Sequence, residues 1–135
     1  MFDDAGYISS CHIMTVPKEF YIPNWGYLLN NPTRSLDVLT KLNEARKNVL
    51  FNQFFSNEKW MKFTFGADAS MDFDKFLELQ NVGFNNPPSQ FQLHLQNMGM
   101  PLTHWDHHTK FKQGGHFPKD RWFSFDFVTK CIDFI

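Results

Sequence analysis

Between the loop NNPPS (85–89) and the MGMP stretch (98–101), the chain reads Q-F-Q-L-H-L-Q, a strict alternation of large apolar and polar residues. Phe91, Leu93 and Leu95 fall on one side; Gln90, Gln92, His94 and Gln96 fall on the other. Period two is incompatible with a single helical face and is what a β-strand imposes on its successive side chains. The segment therefore predicts a strand with one apolar face toward a core. Its polar face is either a solvated surface or the floor of a site, and the pattern alone leaves both readings open.

The rest of the chain supplies what such a strand must pack against. Leu36, Leu39, Leu42, Ala45 and Val49 recur at three or four residues, which predicts one long helix from an N-cap at Ser35 to about Phe55. Residues 8–16, ISSCHIMTV, are rich in β-branched and apolar residues and stop at Pro17, predicting a strand. Residues 17–34 hold three prolines and three asparagines and read as loop and turns. EKWMKFTFG (58–66) alternates and predicts a strand, GADASMDFD a turn, and FDKFLELQNVGF either a strand or a short helix. Ser124 is the expected cap of a last helix, whose apolar periodic segment runs to the final residue; it either closes the domain or is cut from something longer. The order predicts an α+β fold in one domain spanning 1–135: an antiparallel sheet, one long helix packed on it, and a C-terminal helix.

Composition narrows the function classes. With 135 residues, 42% hydrophobic, the chain can bury a core of its own. A net charge of -1 gives no general attraction to nucleic acid, and no apolar run reaches the roughly 20 residues that span a bilayer. Seventeen phenylalanines predict an aromatic core; Trp25, Tyr27 and Trp105 are expected to pack rather than to stack on a base. Cys11 and Cys131 match no zinc spacing and are expected as reduced structural thiols, which together with the absence of a signal-peptide pattern suggests a cytoplasmic protein.

On a strand, residues two apart stand about 6.6 Å apart along one face, so His94 has Gln92 and Gln96 as neighbours. An imidazole can attack phosphorus when one ring nitrogen is unprotonated and the other is held by an acceptor. Phosphoryl transfer also needs neutral or positive donors around the equatorial oxygens, which glutamine amides, the Ser89 hydroxyl and loop N–H groups would provide.

S-Q-F-Q-L-H-L-Q resembles the active-site strand of the histidine-triad superfamily, whose motif is His-φ-His-φ-His-φ-φ. It is most like the branch of galactose-1-phosphate uridylyltransferases and dinucleoside tetraphosphate phosphorylases. CHIMTVPKEF adds a second match, to the strand ending His-x-φ-φ-φ-Pro-Lys, here His12 to Lys18. The order of elements from 12 to 96 follows the superfamily. The resemblance implies an enzyme, a nucleotide hydrolase, phosphorylase or nucleotidyltransferase. His94 would be the nucleophile toward the α-phosphorus and Gln96 the third triad position, contacting the transferred phosphate. Ser89 and Gln90 would be a phosphate-binding pair, with Asn86 a loop contact. It implies a nucleotide substrate, no cofactor and a possible homodimer. Gln92 departs from the pattern, since the first triad place is normally histidine, which in some uridylyltransferases helps to hold zinc. That departure argues against zinc there and leaves, as the alternative, a nucleotide-binding or protein-interaction module without turnover.

A second cluster, His104, His107, His108 and His116 with Asp106, has imidazoles suited to a transition metal but matches no closed zinc pattern; it reads first as a solvated polar loop, with metal binding as the lesser alternative. His116, Lys119 and Arg121 would form a cationic rim over bound phosphates, unless Arg121 pairs with Asp120 or Asp126 on the surface.

Overall fold

A computed structural model describes residues 11–18, 21–66, 71–85, 92–99 and 122–135. Strand β1 (His12–Thr15) lies inside the stretch expected to be extended. A 3-10 turn, Trp25–Asn30, follows, capped by Asn24, whose Oδ1 accepts the Gly26 N–H at 2.9 Å. Helix α1 (Pro32–Val49) starts earlier than Ser35: Asn31 is the cap, accepting the Arg34 N–H, and Pro32 occupies the first turn. Asn followed by Pro is a strong start signal, because proline lacks only an N–H that the first turn leaves unused. Ser35 instead sits inside the helix, buried, and its hydroxyl donates to the Leu28 carbonyl, fastening the 3-10 turn to α1.

Leu50–Phe55 continues α1 as a wider π-helical turn, with the Ser56 N–H reaching the Phe51 carbonyl at 2.9 Å. The expected strand at 58–66 is in fact a helix, α2 (Glu58–Phe65). Asn57 caps it through the Trp60 N–H at 3.1 Å, and Gly66, at φ +90°, ends it in a conformation that side chains disfavour. Over eight residues the two periods are easily confused, since Met61 and Phe65 share a face at spacing four as well as at spacing two. Phe63 separates them: a strand would bury it with Met61, yet it is 90% exposed.

The ambiguous segment divides into both of its alternatives. Asp72 caps a short helix α3 (Phe73–Glu78), accepting the Lys75 N–H at 2.8 Å, and β2 (Gln80–Asn85) follows. Strand β3 covers Leu95–Gly99, so regular pairing begins five residues later than the alternation does. Strand β4 (Trp122–Ser124) leads into helix α4 (Phe125–Phe134), which Ser124 caps as expected.

The sheet is antiparallel throughout, in the order β1-β3-β2-β4. The fold is thus α+β, with the long helix and the C-terminal helix on the same core. Leu28, Val38, Leu39, Leu42, Phe84, Leu93, Leu95, Val128 and Ile132 form that core between sheet and helices. Each fully buried side chain of this size contributes about 1.5–3 kcal/mol by leaving water. A second cluster around Cys11, Ile13, Leu50, Phe54, Met61 and Phe76 is aromatic at its border, with Phe54 and Trp60 centroids 4.9 Å apart. Trp25 packs on Phe123, its centroid 5.1 Å away, so it serves the core as expected.

A buried polar chain crosses from α1 to the sheet. Arg46 Nη1 donates to Asn97 Oδ1 at 2.7 Å, while its Nε and Nη2 both reach Asn43 Oδ1. Asn97 passes its Nδ2 to Gln80 Oε1 at 2.8 Å, and Gln80 donates to the Phe76 carbonyl. Because Asn97 is held on the helix side, Gln96 must face the other way; a slip by one residue would reverse every side chain of β3. Burial pushes the Arg46 guanidinium down to about 10, against a smaller opposing effect of Cys11. Burial likewise pushes the Cys11 thiol up to about 12, with Arg46 pulling the other way. Both cysteines are free thiols.

Candidate active site

The sheet face away from α1 carries His94, Gln96 and His12. Gln96 is the second residue of β3, opposite Met14 of β1 and Gly83 of β2; His12 lies opposite Met98. His94 stands just before the first paired residue of β3, and the Leu93 N–H is held by the Ile22 carbonyl. All three polar side chains are almost fully buried, at 5–6% exposure. At His94 and Gln96 the polar face of the alternation is therefore buried and not solvated.

The hydrogen bonds fix the state of the imidazole. His94 Nδ1 lies 2.8 Å from the Gln92 carbonyl oxygen. A carbonyl only accepts, so Nδ1 carries the proton, and neutral His94 presents a lone pair at Nε2. That nitrogen receives the Gln96 Nε2 amide at 3.2 Å. Gln96 Oε1 then accepts from His12 Nε2 at 3.3 Å. The result is a directed chain, from His12 through Gln96 to His94 and on to the Gln92 main chain. Its members are imidazoles, amides and a carbonyl, none of them anionic, so nothing in it repels a phosphate.

Gln92 has two separate duties. Its carbonyl orients His94, a service the main chain of any residue supplies. Its side chain donates to the Pro17 carbonyl at 3.2 Å, tying the V-P-K stretch after β1 to the segment that carries His94. Support for the central histidine therefore does not depend on a histidine at position 92.

Of the residues that the sequence singled out, the structure brings together Gln92, His94 and Gln96. Asn86, Ser89 and Gln90 lie outside the described residues, as do the 104–116 histidine cluster and Lys119 and Arg121. His12 was not foreseen as a site residue. It opened the His12-to-Lys18 match without being given a role there, and its contact with Gln96 spans 84 positions of sequence. A cavity of about 300 Å³ lies between Thr15–Lys18 and the Val38, Lys41 and Leu42 face of α1, on the other side of the sheet from His94. Among the described residues, no group of three or more His, Cys, Asp or Glu side chains is placed to hold a metal ion. Among them too, no helix is long and apolar enough to cross a membrane.

Fold and site together define an antiparallel α+β domain with a neutral histidine–amide chain on one sheet face. No family model, curated protein or solved structure matches the chain.

Proposed function

We propose that the chain is a nucleotide hydrolase or nucleotidyltransferase of the histidine-triad type, acting on a dinucleoside polyphosphate, nucleotide sugar or related nucleotide. The observation that carries this reading is the bond from His94 Nδ1–H to the Gln92 carbonyl, which leaves Nε2 as the nucleophilic atom. In the first step an Nε2–P bond forms to the α-phosphorus and the P–O bond to the leaving group breaks, its electron pair departing with that oxygen. The imidazolium-like product keeps its Nδ1 proton on the Gln92 carbonyl. In the second step water, phosphate or a sugar phosphate attacks the same phosphorus, and the electron pair returns to Nε2. Gln96, freed from Nε2 by the incoming phosphorus, would turn its amide N–H to a phosphoryl oxygen. By its resemblance to the transferase branch, glutamine at 96 favours transfer or phosphorolysis over hydrolysis. A cytoplasmic setting suits a nucleotide substrate and two free thiols.

The second reading is a module that binds nucleotide or protein without turnover. What favours it is the closure of the chain: His94 is 6% exposed and its Nε2 already occupied by Gln96.

Incubation with an α-radiolabelled dinucleoside polyphosphate, followed by an alkaline quench, separates the two. The enzyme reading expects acid-labile label on the wild-type protein and none on His94→Ala. Nucleotide binding without label would establish the second reading instead, and label persisting on His94→Ala would move the nucleophile elsewhere.

A further inference from the structure

The cavity behind the sheet takes no part in the chemistry proposed for His94. One of its walls is the chain where strand β1 ends at Thr15 and runs on through Val16 and Pro17 to Lys18. The other is a stripe of α1, since Val38, Lys41, Leu42 and Ala45 recur at three or four residues and share one helix face. The space between them is about 300 Å³, at the lower end of the pockets that hold small organic molecules. Both walls are held from outside the cavity. Thr15 is paired with Leu95 across the sheet, and the Pro17 carbonyl is held by the Gln92 side chain at 3.2 Å. Val38 and Leu42 belong to the main core. A space between walls held in this way exists before any ligand arrives, so little ordering opposes its filling.

The lining divides by chemistry. Val16, Pro17, Val38, Leu42 and Ala45 supply apolar surface, while Lys18 and Lys41 supply two ammonium groups. Lys41 is paired with Asp37 of the same helix at 3.0 Å. Lys18 makes no ion pair or hydrogen bond among the described residues. Asp37 thus offsets one of the two positive charges, and the one that remains suits a monoanion better than a dianionic phosphate. An apolar recess with one uncompensated cation is complementary to a molecule that joins a short hydrocarbon chain to a single anionic head.

We propose that this cavity is a second ligand site, which takes a small amphiphilic carboxylate: the hydrocarbon chain lies against Val38, Leu42 and Ala45, and the carboxylate pairs with Lys18. The proposal goes beyond the nucleotide reading and does not depend on it, because the sheet stands between this site and His94.

The test is an amide chemical-shift titration of the isotope-labelled protein, with butanoate, hexanoate and octanoate as probes. Saturating shifts are expected at Val16, Lys18, Val38 and Leu42, and affinity should rise about fourfold with each added methylene. Octanol, which lacks the charge, and octyl phosphate, which carries a second one, should both bind more weakly than octanoate. Lys18→Gln should weaken octanoate by about fivefold and leave octanol unchanged. Ala45→Phe, at an exposed helix position, puts a ring into the space and should abolish the shifts. A far-UV spectrum and melting curve report the folding of each variant, and Lys18→Gln serves if Ala45→Phe does not fold. No saturating shifts in wild type, shifts centred instead on the apolar face of Phe127 and Phe134, or octanoate binding unaltered in the variants overturns the site. Octyl phosphate binding more tightly than octanoate overturns the carboxylate. Sedimentation of the free protein covers the remaining occupant: self-association that Ala45→Phe abolishes, with no octanoate shifts, would give the cavity to a second copy of the chain and overturn the proposal.

Discussion

Arg46 Nη1 sits 2.7 Å from Asn97 Oδ1, a charged bond from the middle of α1 to the residue immediately after Gln96. It is the contact that turns Asn97 toward the helix and Gln96 toward His94. Asn97→Leu would leave a buried guanidinium short of an acceptor, at a cost of about 2–4 kcal/mol. The double variant Arg46→Met with Asn97→Leu should recover part of that loss, because it removes charge and acceptor together. Urea unfolding of the single and double variants measures the coupling; strictly additive losses would mean the bond does not set the register.

The same region should govern stability in alkali. Cys11 titrates near 12 in the folded protein against an ordinary 9.0, so the stability it contributes is complete below pH 9 and is lost as pH rises toward 12. Arg46 has the opposite sign. Its folded value near 10 lies below the ordinary 12.5, so the cost of burying its charge is present in full below pH 10 and is relieved above it. Stability should therefore begin to fall from pH 9, with the fall opposed above pH 10. In Cys11→Ala the first limb should disappear, and urea midpoints across pH 9 to 12 provide the measurement.

Helix α2 gives a prediction that a strand would reverse. Phe63→Lys should change stability by less than about 0.5 kcal/mol, because the ring is 90% exposed, whereas Met61→Ala, at a buried position, should cost about 2 kcal/mol or more. Asn57→Ala should cost about 1 kcal/mol through the lost cap on the Trp60 N–H. Thermal melts of the three variants decide it; a severe effect at Phe63 would restore the extended reading.

At the site, the division of labour within Gln92 predicts a mild phenotype. Gln92→Ala keeps the carbonyl that orients His94 and loses only the tie to Pro17, so labelling at His94 should stay within about threefold of wild type. Gln96→Ala removes the amide beside Nε2 and should slow labelling by about tenfold to a hundredfold. Single-turnover labelling rates measure both. Equal, large losses would show that the side chain of Gln92 matters as a triad member.

What the sequence revealed depended on the range of the interaction. The α+β order, the Ser124 cap and the shared face of His94 and Gln96 are local consequences of spacing, and all were readable. The start of α1 was also local, but Asn31-Pro32 lay in a stretch whose prolines and asparagines read as loop. Helix α2 was misjudged because a short segment satisfied both periods, and the decisive signals stood at its ends, in Asn57 and Gly66. His12 was out of reach for another reason. Its relation to His94 through Gln96 exists only once the β1–β3 register is set, and no spacing along the chain encodes that.

The side chain of Gln96 has a donor end and an acceptor end, and it stands between two imidazoles. If His94 takes up a proton at Nε2, that nitrogen becomes a donor and requires the amide to present its oxygen. The rotation of Gln96 would then offer its NH2 to His12, whose Nε2 could meet it only by passing its own proton to Nδ1. A charge arriving at one histidine is thereby written into the tautomer of another on a neighbouring strand. The nitrogen resonances of His12 would report the protonation of His94, with a single amide as the switch between them.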